Sequence, residues 1–371
     1  MPLHRRTTSV ALAAPLALAL TLTALPEAAA APTAPVRTAA YSPALTPKVH
    51  KVVAKNLNAP WGMAFISTTR ALVAERNSGR IKRLDGKGHA TSIGRVKGVV
   101  AAGEGGLLGL AVPKDFRTSR WVYAYYTSAS DNRIVRLKFA KGKLGKAHVV
   151  LKGIPKGFIH NGGRIVFGPD GMLYAGTGEA GNRPLSQNSK SLGGKILRMT
   201  PTGKVPADNP KKGSYVYSKG HRNVQGLAFD SAGRLFSAEF GQNTWDELNL
   251  IKPGRNYGWP NVEGRAKDPR YVDPIAQWRP ENASPSGIAI VKGTVFMAGL
   301  RGKRLWRIQI GDPRANGVPR AQTKDFFVGK WGRLRTVTAA PDGSLWLSTS
   351  NTDGRGKPTS RDDRVIRLRL S

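Results

Sequence analysis

The stretch GLAFDSAGRLFSAEFG, residues 226–241, contains two short runs of small, apolar and aromatic residues on either side of a tight turn. The Ser231-Ala232-Gly233 turn predicts two antiparallel strands joined as a hairpin. The same pattern occurs six times along the chain, at intervals of 47 to 62 residues. The six repeats begin at Gly62, Gly109, Arg164, Gly226, Gly287 and Thr336. This spacing is typical of a radial array of repeats whose insertions fall in loops.

Five of the six repeats are followed by a third predicted strand with the pattern basic, apolar, any, arginine, apolar. These strands are RIKRL (80–84), RIVRL (133–137), KILRM (195–199), RLWRI (304–308) and RVIRL (364–368). Their alternation puts the apolar residues on one face and the arginines on the other. With a fourth, outer strand in each repeat, the sequence predicts an all-β fold, a six-bladed β-propeller of four-stranded antiparallel blades.

The segment VHKVVAKNL, residues 49–57, is predicted to add an outer strand to the last blade. Such a strand would close the ring, and a closed ring has no long free edge. Long stretches of helical periodicity between the strands are absent from the sequence, which excludes a doubly wound α/β fold.

The N-terminal sequence predicts export. Residues 1–31 carry basic residues, an apolar run and a small-residue stretch, the layout of a cleaved secretory signal peptide. Residues 32–47 are rich in Ala, Pro and Thr and are predicted to be a disordered linker. Residues 48–371 then form the propeller catalytic domain. The chain of 371 residues has no cysteine, which excludes disulfides. We therefore expect a secreted protein, extracellular or associated with the cell envelope.

A formal net charge of +36 raises the question of nucleic-acid binding. Many of the arginines fall at the outward position of the predicted third strands, so they are expected around the rim of a disc and not in one stripe. No known nucleic-acid-binding motif accompanies them. The charge instead favours electrostatic association with an anionic cell envelope, and no nucleic-acid partner is expected.

Chain direction predicts where polar residues should meet. Loops that enter first strands and loops that leave second strands lie on the same face of a propeller. The residues in these loops are Glu104, His160, Arg222 and Arg333 before first strands, and Glu75, Glu179, Glu239 and Arg301 after second strands. We expect them to form a polar pocket over the central channel. A histidine there can accept a proton at neutral pH.

The fourth blade departs from the pattern of the third strands. Glu247 replaces the usual basic residue, and Asp246 lies beside it. Two carboxylates after the loop at Gly241 and Gln242 offer the oxygen ligands that Ca²⁺ prefers. The alternative is an acidic patch that pairs with surrounding arginines.

Five motifs in order carry a resemblance to a known family. They are GEGGLLGLAVPKDF from Gly103, HNGGRIVFGPDGMLY from His160, GHRNVQGLAF from Gly220, EFGQNTWDELNLIKPGRNYGWP from Glu239 and GRLRTV from Gly332. The chain resembles the soluble glucose/sorbosone dehydrogenases, aldose sugar dehydrogenases that depend on pyrroloquinoline quinone (PQQ). The resemblance implies a six-bladed propeller that oxidises the anomeric carbon of an aldose to a lactone by hydride transfer to PQQ.

The resemblance also implies roles for single residues. His160 matches the general base, Glu179 matches the acidic residue that orients it, and Arg222 matches the arginine beside the reacting quinone carbonyl. The cofactor-binding residues it implies are Glu104, Arg222, Asn223, Arg301, Arg333 and Arg335. Glutamate at 104, where glucose-oxidising relatives have an amide, and arginine at 301, where they have lysine, are departures from the pattern.

A calcium site is implied by the same motifs. The backbone carbonyls of Gly241 and Gln242 match positions that hold the Ca²⁺ next to the quinone, and Asp246, Glu247 and Tyr257 match a further calcium cluster. Two other classes of protein remain open from the sequence: a calcium-dependent propeller lactonase or other hydrolase, and a non-catalytic propeller that binds the cell envelope. The electron acceptor of a dehydrogenase is unknown from the sequence.

Overall fold

The computed structural model describes residues 40–371, which form a six-bladed β-propeller of 24 strands. Each blade is one four-stranded antiparallel sheet, as the repeats predict. In the described part of the chain, helix is limited to α1 (Phe116–Ser119) and a 3₁₀ turn at Arg183–Ser186. Within residues 40–371 no helix is long and apolar enough to cross a membrane. The predicted signal peptide over residues 1–31 lies outside the described residues.

The strands follow chain order, from the axis to the rim of each blade. Blade 1 contains β2 (Pro60–Phe65), β3 (Ala71–Glu75), β4 (Arg80–Leu84) and β5 (Ala90–Arg95). Blade 2 contains β6 (Leu107–Ala111), β7 (Trp121–Thr127), β8 (Asn132–Ala140) and β9 (Lys143–Ile154). Blade 3 contains β10 (Ile165–Phe167), β11 (Leu173–Gly176), β12 (Lys195–Met199) and β13 (Val216–Lys219).

The second half of the ring repeats this order. Blade 4 contains β14 (Val224–Phe229), β15 (Leu235–Glu239), β16 (Asp246–Ile251) and β17 (Ala276–Trp278). Blade 5 contains β18 (Pro285–Val291), β19 (Thr294–Gly299), β20 (Leu305–Pro313) and β21 (Pro319–Phe326). Blade 6 contains β22 (Leu334–Ala339), β23 (Leu345–Thr349) and β24 (Val365–Leu370), with β1 (Pro47–Ala54) as its outer strand.

The ring closes between the two ends of the described chain. Strand β1 pairs antiparallel with β24, with Pro47 opposite Leu370 and Ala54 opposite Val365. This confirms the predicted outer strand of the last blade. The hydrophobic core lies between neighbouring blades, where Tyr125 of blade 2, for example, packs with Leu197 of blade 3. Burial of such side chains contributes about 1.5–3 kcal/mol each.

Glycines allow the six first strands to approach closely around the axis. A Cβ on Gly62 would lie 2.4 Å from the Leu110 backbone nitrogen, and one on Gly226 would lie 2.4 Å from the Ser286 carbonyl oxygen. Four of the six repeats begin with such a glycine, and the other two begin with Arg164 and Thr336. The Arg164 side chain uses the space that the glycines leave and crosses the channel to Thr336.

The arginines of the third strands are less exposed than the predicted basic rim requires. The second arginine of each strand is half-buried or buried. Arg198 pairs with Asp170 and Arg367 with Asp342, and both aspartates belong to the Pro-Asp-Gly turns of the first hairpins. Part of the expected basic rim is therefore neutralised within the blades.

The predicted disordered linker over residues 32–47 is wrong for its last part. Residues 32–39 lie outside the described residues, whereas residues 41–47 are ordered against blade 5 and blade 6. Tyr41 bridges Gly311, and the Gln309 side chain donates to the Ser42 carbonyl at 2.7 Å. The Thr294 hydroxyl donates to the Pro43 carbonyl at 2.6 Å. The composition of the segment did not reveal these backbone contacts.

Candidate active site

One face of the channel gathers the predicted polar residues around His160. This histidine is 8% exposed and has a positive φ of 55° in the loop before β10. Its ring Nδ1 forms a hydrogen bond with the Glu179 carboxylate. With the Nδ1 proton donated to the carboxylate, Nε2 is the ring nitrogen left to accept a proton.

The loop that carries His160 packs closely against neighbouring backbone, so the glycines at these contacts have no room for a side chain. A Cβ on Gly178 would lie 1.9 Å from the His160 carbonyl oxygen, and one on Gly162 would lie 2.6 Å from the Gly176 carbonyl oxygen. The Ala180 N–H donates to the His160 carbonyl at 3.0 Å. These contacts fix the direction of the imidazole relative to the strand below it.

Glu104 fixes the same histidine from the other side. Its Oε2 accepts the backbone N–H of His160 at 2.9 Å, and its Oε1 pairs with Arg355 at 3.0 Å. The Glu104 N–H donates to the Phe158 carbonyl at 2.8 Å. Two carboxylates, Glu104 at the backbone and Glu179 at the ring, therefore orient His160.

Arg222 lies next to Glu179, whose N–H donates to the Arg222 carbonyl at 2.9 Å, and it has no ion-pair partner in residues 40–371. Its Nε is buried with no hydrogen-bond partner in that part of the chain, and Nη1 reaches only the Phe240 carbonyl at 3.5 Å. The guanidinium carbon lies 5.2 Å from the centre of the Trp259 ring. Burial lowers the pKa of Arg222, although the charges of Glu179 and Glu263 act in the opposite direction. The cation is thus available to a negatively charged ligand.

Arg333 and Arg335 meet at one aspartate. Asp353 Oδ2 accepts from Arg333 Nε at 3.1 Å and from Arg335 Nη2 at 3.2 Å. Burial lowers the pKa of Arg335 to about 10, with Asp353 acting in the opposite direction. Burial acts to raise the pKa of Asp353, but the two arginines outweigh it and lower this pKa. Two guanidiniums share one carboxylate, so this group keeps a net positive charge.

Asn223 joins the two halves of the site. Its Oδ1 accepts the Gly162 N–H at 3.0 Å, while its Nδ2 is buried without a partner in the described chain. Glu179 Oε2 and Trp259 Nε1 are also buried and unpaired there. Buried polar atoms normally have partners, so these unpaired atoms indicate that the site is shaped for a polar ligand.

The acidic loop of blade 4 is organised by a carboxylate that the sequence analysis missed. Glu263 Oε1 accepts four consecutive backbone N–H groups, from Gln242 to Trp245, at 2.7–3.2 Å. Asp246 accepts the Gly241 N–H at 3.0 Å and the Ser284 N–H at 2.6 Å. Burial raises the pKa of Asp246 to about 7, with both N–H groups acting in the opposite direction.

Glu247 occupies a similar environment. Its Oε1 accepts the Gly264 N–H at 2.7 Å, and its Oε2 accepts from Asn249 at 2.9 Å. Burial, followed by the charge of Glu239, raises the pKa of Glu247 to about 8. The carboxylates of Glu239, Glu247 and Glu263 border a small cavity of about 10 Å³. That volume matches a single water or ion.

Residues 40–371 contain no cluster of three or more His, Asp or Glu side chains arranged for a metal. The carbonyl oxygens of Gly241 and Gln242 accept no hydrogen bond from that part of the chain. Tyr257 donates its hydroxyl to the Leu250 carbonyl at 2.8 Å, and its ring stacks on His221 at 4.7 Å. The predicted calcium ligands are therefore close in the chain, but their side-chain oxygens already have partners.

Two of the residues expected over the channel form no hydrogen bond or ion pair with His160 in the described residues. Glu75 pairs with Lys82 at 2.9 Å within blade 1. Arg301 is exposed and forms no ion pair in the described part of the chain. Glu239 supports the site indirectly, because it accepts the Arg222 N–H at 2.9 Å and pairs with the buried His221.

Comparison with known proteins identifies the family of this chain. Residues 57–361 match the family described as Glucose / Sorbosone dehydrogenase. The PQQ-bound aldose sugar dehydrogenase of Streptomyces coelicolor is 55% identical with a TM-score of 0.85, over 89% of this chain and 100% of that one. Aldose sugar dehydrogenase YliI of Escherichia coli is 28% identical, over 82% of this chain and 90% of its own.

A third relative matches over a shorter stretch. Quinoprotein glucose dehydrogenase B of Acinetobacter calcoaceticus is 34% identical, over 60% of this chain and 54% of its own length. The family match covers most of the propeller and includes the histidine and arginine loops described above. The chain therefore belongs to the glucose/sorbosone dehydrogenase family.

Proposed function

We propose that this chain, an oxidoreductase by its family, is a PQQ- and calcium-dependent dehydrogenase that oxidises aldoses at the anomeric carbon to lactones. The observation that carries this proposal is the pairing of His160 with Glu179, next to Arg222, whose guanidinium has no ion-pair partner in residues 40–371. A base and a free cation side by side suit removal of a hydroxyl proton while negative charge develops nearby.

The donor set fits a polycarboxylated quinone. Arg222 and Asn223 offer buried N–H groups that lack partners in residues 40–371. Arg333 and Arg335 keep a surplus positive charge over Asp353. Guanidinium groups bind carboxylates with paired hydrogen bonds, so these residues would hold the acidic groups of PQQ. Arg301 and Glu104 are proposed as outer contacts of the same pocket. When bound, PQQ would supply the hydride acceptor.

His160 would act as the general base through Nε2. Glu179 holds the other ring nitrogen and keeps the proton on Nδ1, and Glu104 fixes the backbone of the loop. Glu179 also stabilises the imidazolium that forms when Nε2 takes the hydroxyl proton. Arg222 would stabilise negative charge that develops within reach of its guanidinium.

Calcium would bind at the loop between β15 and β16. The free carbonyls of Gly241 and Gln242 favour such a site, as does the small cavity bordered by Glu239, Glu247 and Glu263. Hard oxygen ligands of this type suit Ca²⁺, which takes six to eight of them. Asp246 and Tyr257 are proposed as members of the further cluster. Bound calcium would supply positive charge next to the cofactor.

The test is reconstitution of the purified protein with PQQ and Ca²⁺, read by dye reduction with a panel of aldoses and, separately, by PQQ binding. We expect sugar-dependent turnover that needs both additions. His160→Gln should abolish turnover but keep PQQ binding, whereas Arg222→Ala should weaken both. Arg270→Ala changes an exposed arginine of blade 4 and should match the wild type. Failure to bind PQQ in the presence of Ca²⁺ would refute the proposal.

Export and envelope association are proposed from the sequence. The N-terminal layout and the net charge of +36 support them. Cell fractionation of the producing organism should place the protein outside the cytoplasm, and washing with high salt should release the envelope-bound fraction. Retention in the cytoplasm would contradict both proposals. The electron acceptor awaits a screen of reoxidants with the loaded enzyme.

A further inference from the structure

A second cavity opens at the end of the channel opposite His160. It has a volume of about 1040 Å³, at the upper limit of pockets that bind small molecules. The distal halves of the six first strands and the hairpins that follow them form its walls. No residue assigned to the proposed dehydrogenase site lines it. We call it the distal cavity.

Arg164 forms the floor of the distal cavity and separates it from the catalytic side. Its Nε donates to the Gln225 carbonyl at 2.7 Å, and its Nη2 donates to the Thr336 hydroxyl at 3.0 Å. The third guanidinium nitrogen, Nη1, has no hydrogen-bond partner in residues 40–371. The residue is 7% exposed and faces no carboxylate within ion-pair distance in that part of the chain. A buried cation of this kind favours an anionic partner.

The mouth of the distal cavity is also cationic. Its rim carries Arg70, Arg83, Lys114, Arg117 and Arg120, all from blades 1 and 2. None of them forms an ion pair in the described chain, and no Asp or Glu lines the cavity. Asp115 lies in the same loop but outside the lining.

The hairpin turns of blades 3, 4 and 6 differ from the rim on blades 1 and 2, because they carry aspartates that form ion pairs. The aspartates in the hairpin turns of blades 3, 4 and 6 each pair with an arginine of their own blade: Asp170 with Arg198, Asp230 with Arg234, and Asp342 with Arg367. The cations without ion-pair partners at the rim of the distal cavity are therefore concentrated on blades 1 and 2. A ligand would meet an asymmetric cationic rim.

The side chains between the floor and the rim are largely apolar, although polar atoms also line the cavity. Phe65, Phe139, Phe167 and Phe229 line the cavity and are half-buried, so part of each ring remains accessible. Covering such apolar surface with an apolar ligand is favourable. An inorganic anion would leave these rings uncovered, whereas an organic body would bury them.

We propose that the distal cavity binds an amphipathic organic anion. A carboxylate, phosphate or sulfonate group of this ligand binds Arg164 or the rim arginines, and its apolar body packs against the phenylalanine walls. The proposal is independent of the dehydrogenase activity, because Arg164 and its hydrogen-bond partners lie between the distal cavity and His160.

The test is a fluorescence titration of the purified full-length protein with 8-anilinonaphthalene-1-sulfonate, a probe with one anionic group and an apolar body. We expect saturable binding of one probe per chain. Arg117→Ala/Arg120→Ala removes two exposed rim cations and should weaken binding about fivefold. Arg164→Gln should weaken it about tenfold or more. Lys211→Ala/Lys212→Ala removes two exposed cations of blade 3 and is the matched control, with unchanged affinity expected.

Competition tests the amphipathic character. Decanoate should displace the probe at concentrations where acetate, with the same charged group, has no effect. The proposal is overturned by absence of saturable binding, by equal competition from acetate, or by an affinity that the rim variant leaves unchanged. Loss of binding in Arg222→Ala without loss in the rim variant would place the probe at the catalytic mouth and would also overturn it. The exposed rim variant keeps the test valid if Arg164→Gln does not fold.

Discussion

Arg164 of blade 3 donates a hydrogen bond across the channel axis to the hydroxyl of Thr336 in blade 6, at 3.0 Å. These blades lie opposite each other in the ring, so one side chain spans the channel. The same threonine hydroxyl donates to the Trp61 carbonyl of blade 1. Arg164 also lies 4.3 Å from the centre of the Trp61 ring. Three blades are thereby tied together directly below the candidate active site.

Thr336→Val should destabilise the propeller by about 1–3 kcal/mol, because it leaves a buried guanidinium N–H and the Trp61 carbonyl without partners. The measurement is the free energy of unfolding in urea. Thr338→Val changes a half-buried threonine of the same strand that forms no side-chain hydrogen bond within residues 40–371, and should cost much less. Equal losses in the two variants would show that the contact across the axis adds no stability.

Glu179→Gln should reduce kcat of the reconstituted enzyme about 10²-fold or more while PQQ binding persists. The amide can donate to His160 Nδ1 and so favours the tautomer with the proton on Nε2, where the proposed base must be free. It also removes the charge that stabilises an imidazolium. Dye reduction measures kcat, and a binding titration measures PQQ affinity. The control is Glu281→Gln, which changes an exposed glutamate in the connection between blades 4 and 5. Unchanged kcat in Glu179→Gln would exclude the orienting role.

The propeller was predictable because its information is local and repeated. Each hairpin needs small residues, turn residues and alternation, and six copies fix the number of blades. The closure by β1 followed from the need to cover a strand edge. The order of residues 41–47 was not predictable, because backbone contacts of Ser42 and Pro43 with blade 5 hold this segment and leave no periodic pattern.

The candidate site was predictable where chain direction brings loops together, as with His160, Glu179 and Arg222. Its supporting residues were not. Asp353 binds arginine side chains 18 and 20 residues away. Glu263 binds backbone N–H groups 18 to 21 residues away. Neither residue belongs to the motifs that carried the resemblance. A single carboxylate in a loop forms no recognisable sequence pattern, because its role depends on partners that only the fold brings close to it.

Asp353→Asn should destabilise the protein by about 2–4 kcal/mol at pH 7, because Arg333 and Arg335 lose their shared carboxylate. The pKa of Asp353 is lowered in the folded state, so its contribution is complete above the unfolded value of about 3.8 and is lost as the pH falls through the folded pKa. The difference from wild type should therefore shrink below that pH. Urea unfolding at several pH values measures it.

Asp325→Asn is the matched control for that prediction. Asp325 pairs with Arg304 at 2.8 Å, but its side chain is 38% exposed. An exposed ion pair contributes about 0–1 kcal/mol. If the two variants lost the same stability at pH 7, Asp353 would be an ordinary surface partner and not the centre of the arginine pair.

Phe158→Ala should raise KM for aldoses several-fold and leave kcat nearly unchanged, because it removes an exposed aromatic face near His160 that we expect to pack against the sugar. Phe158 is 74% exposed, and its ring lies so close to Gly103 that a Cβ there would approach it to 2.9 Å. An apolar ring held in water two residues from His160 is suited to cover the apolar face of a ligand. Steady-state kinetics with the loaded enzyme measure both constants. Phe158→Tyr should keep the wild-type KM, and Val149→Ala, at an exposed residue of β9, is the control. A lower kcat with unchanged KM would assign the ring to loop positioning instead of sugar binding.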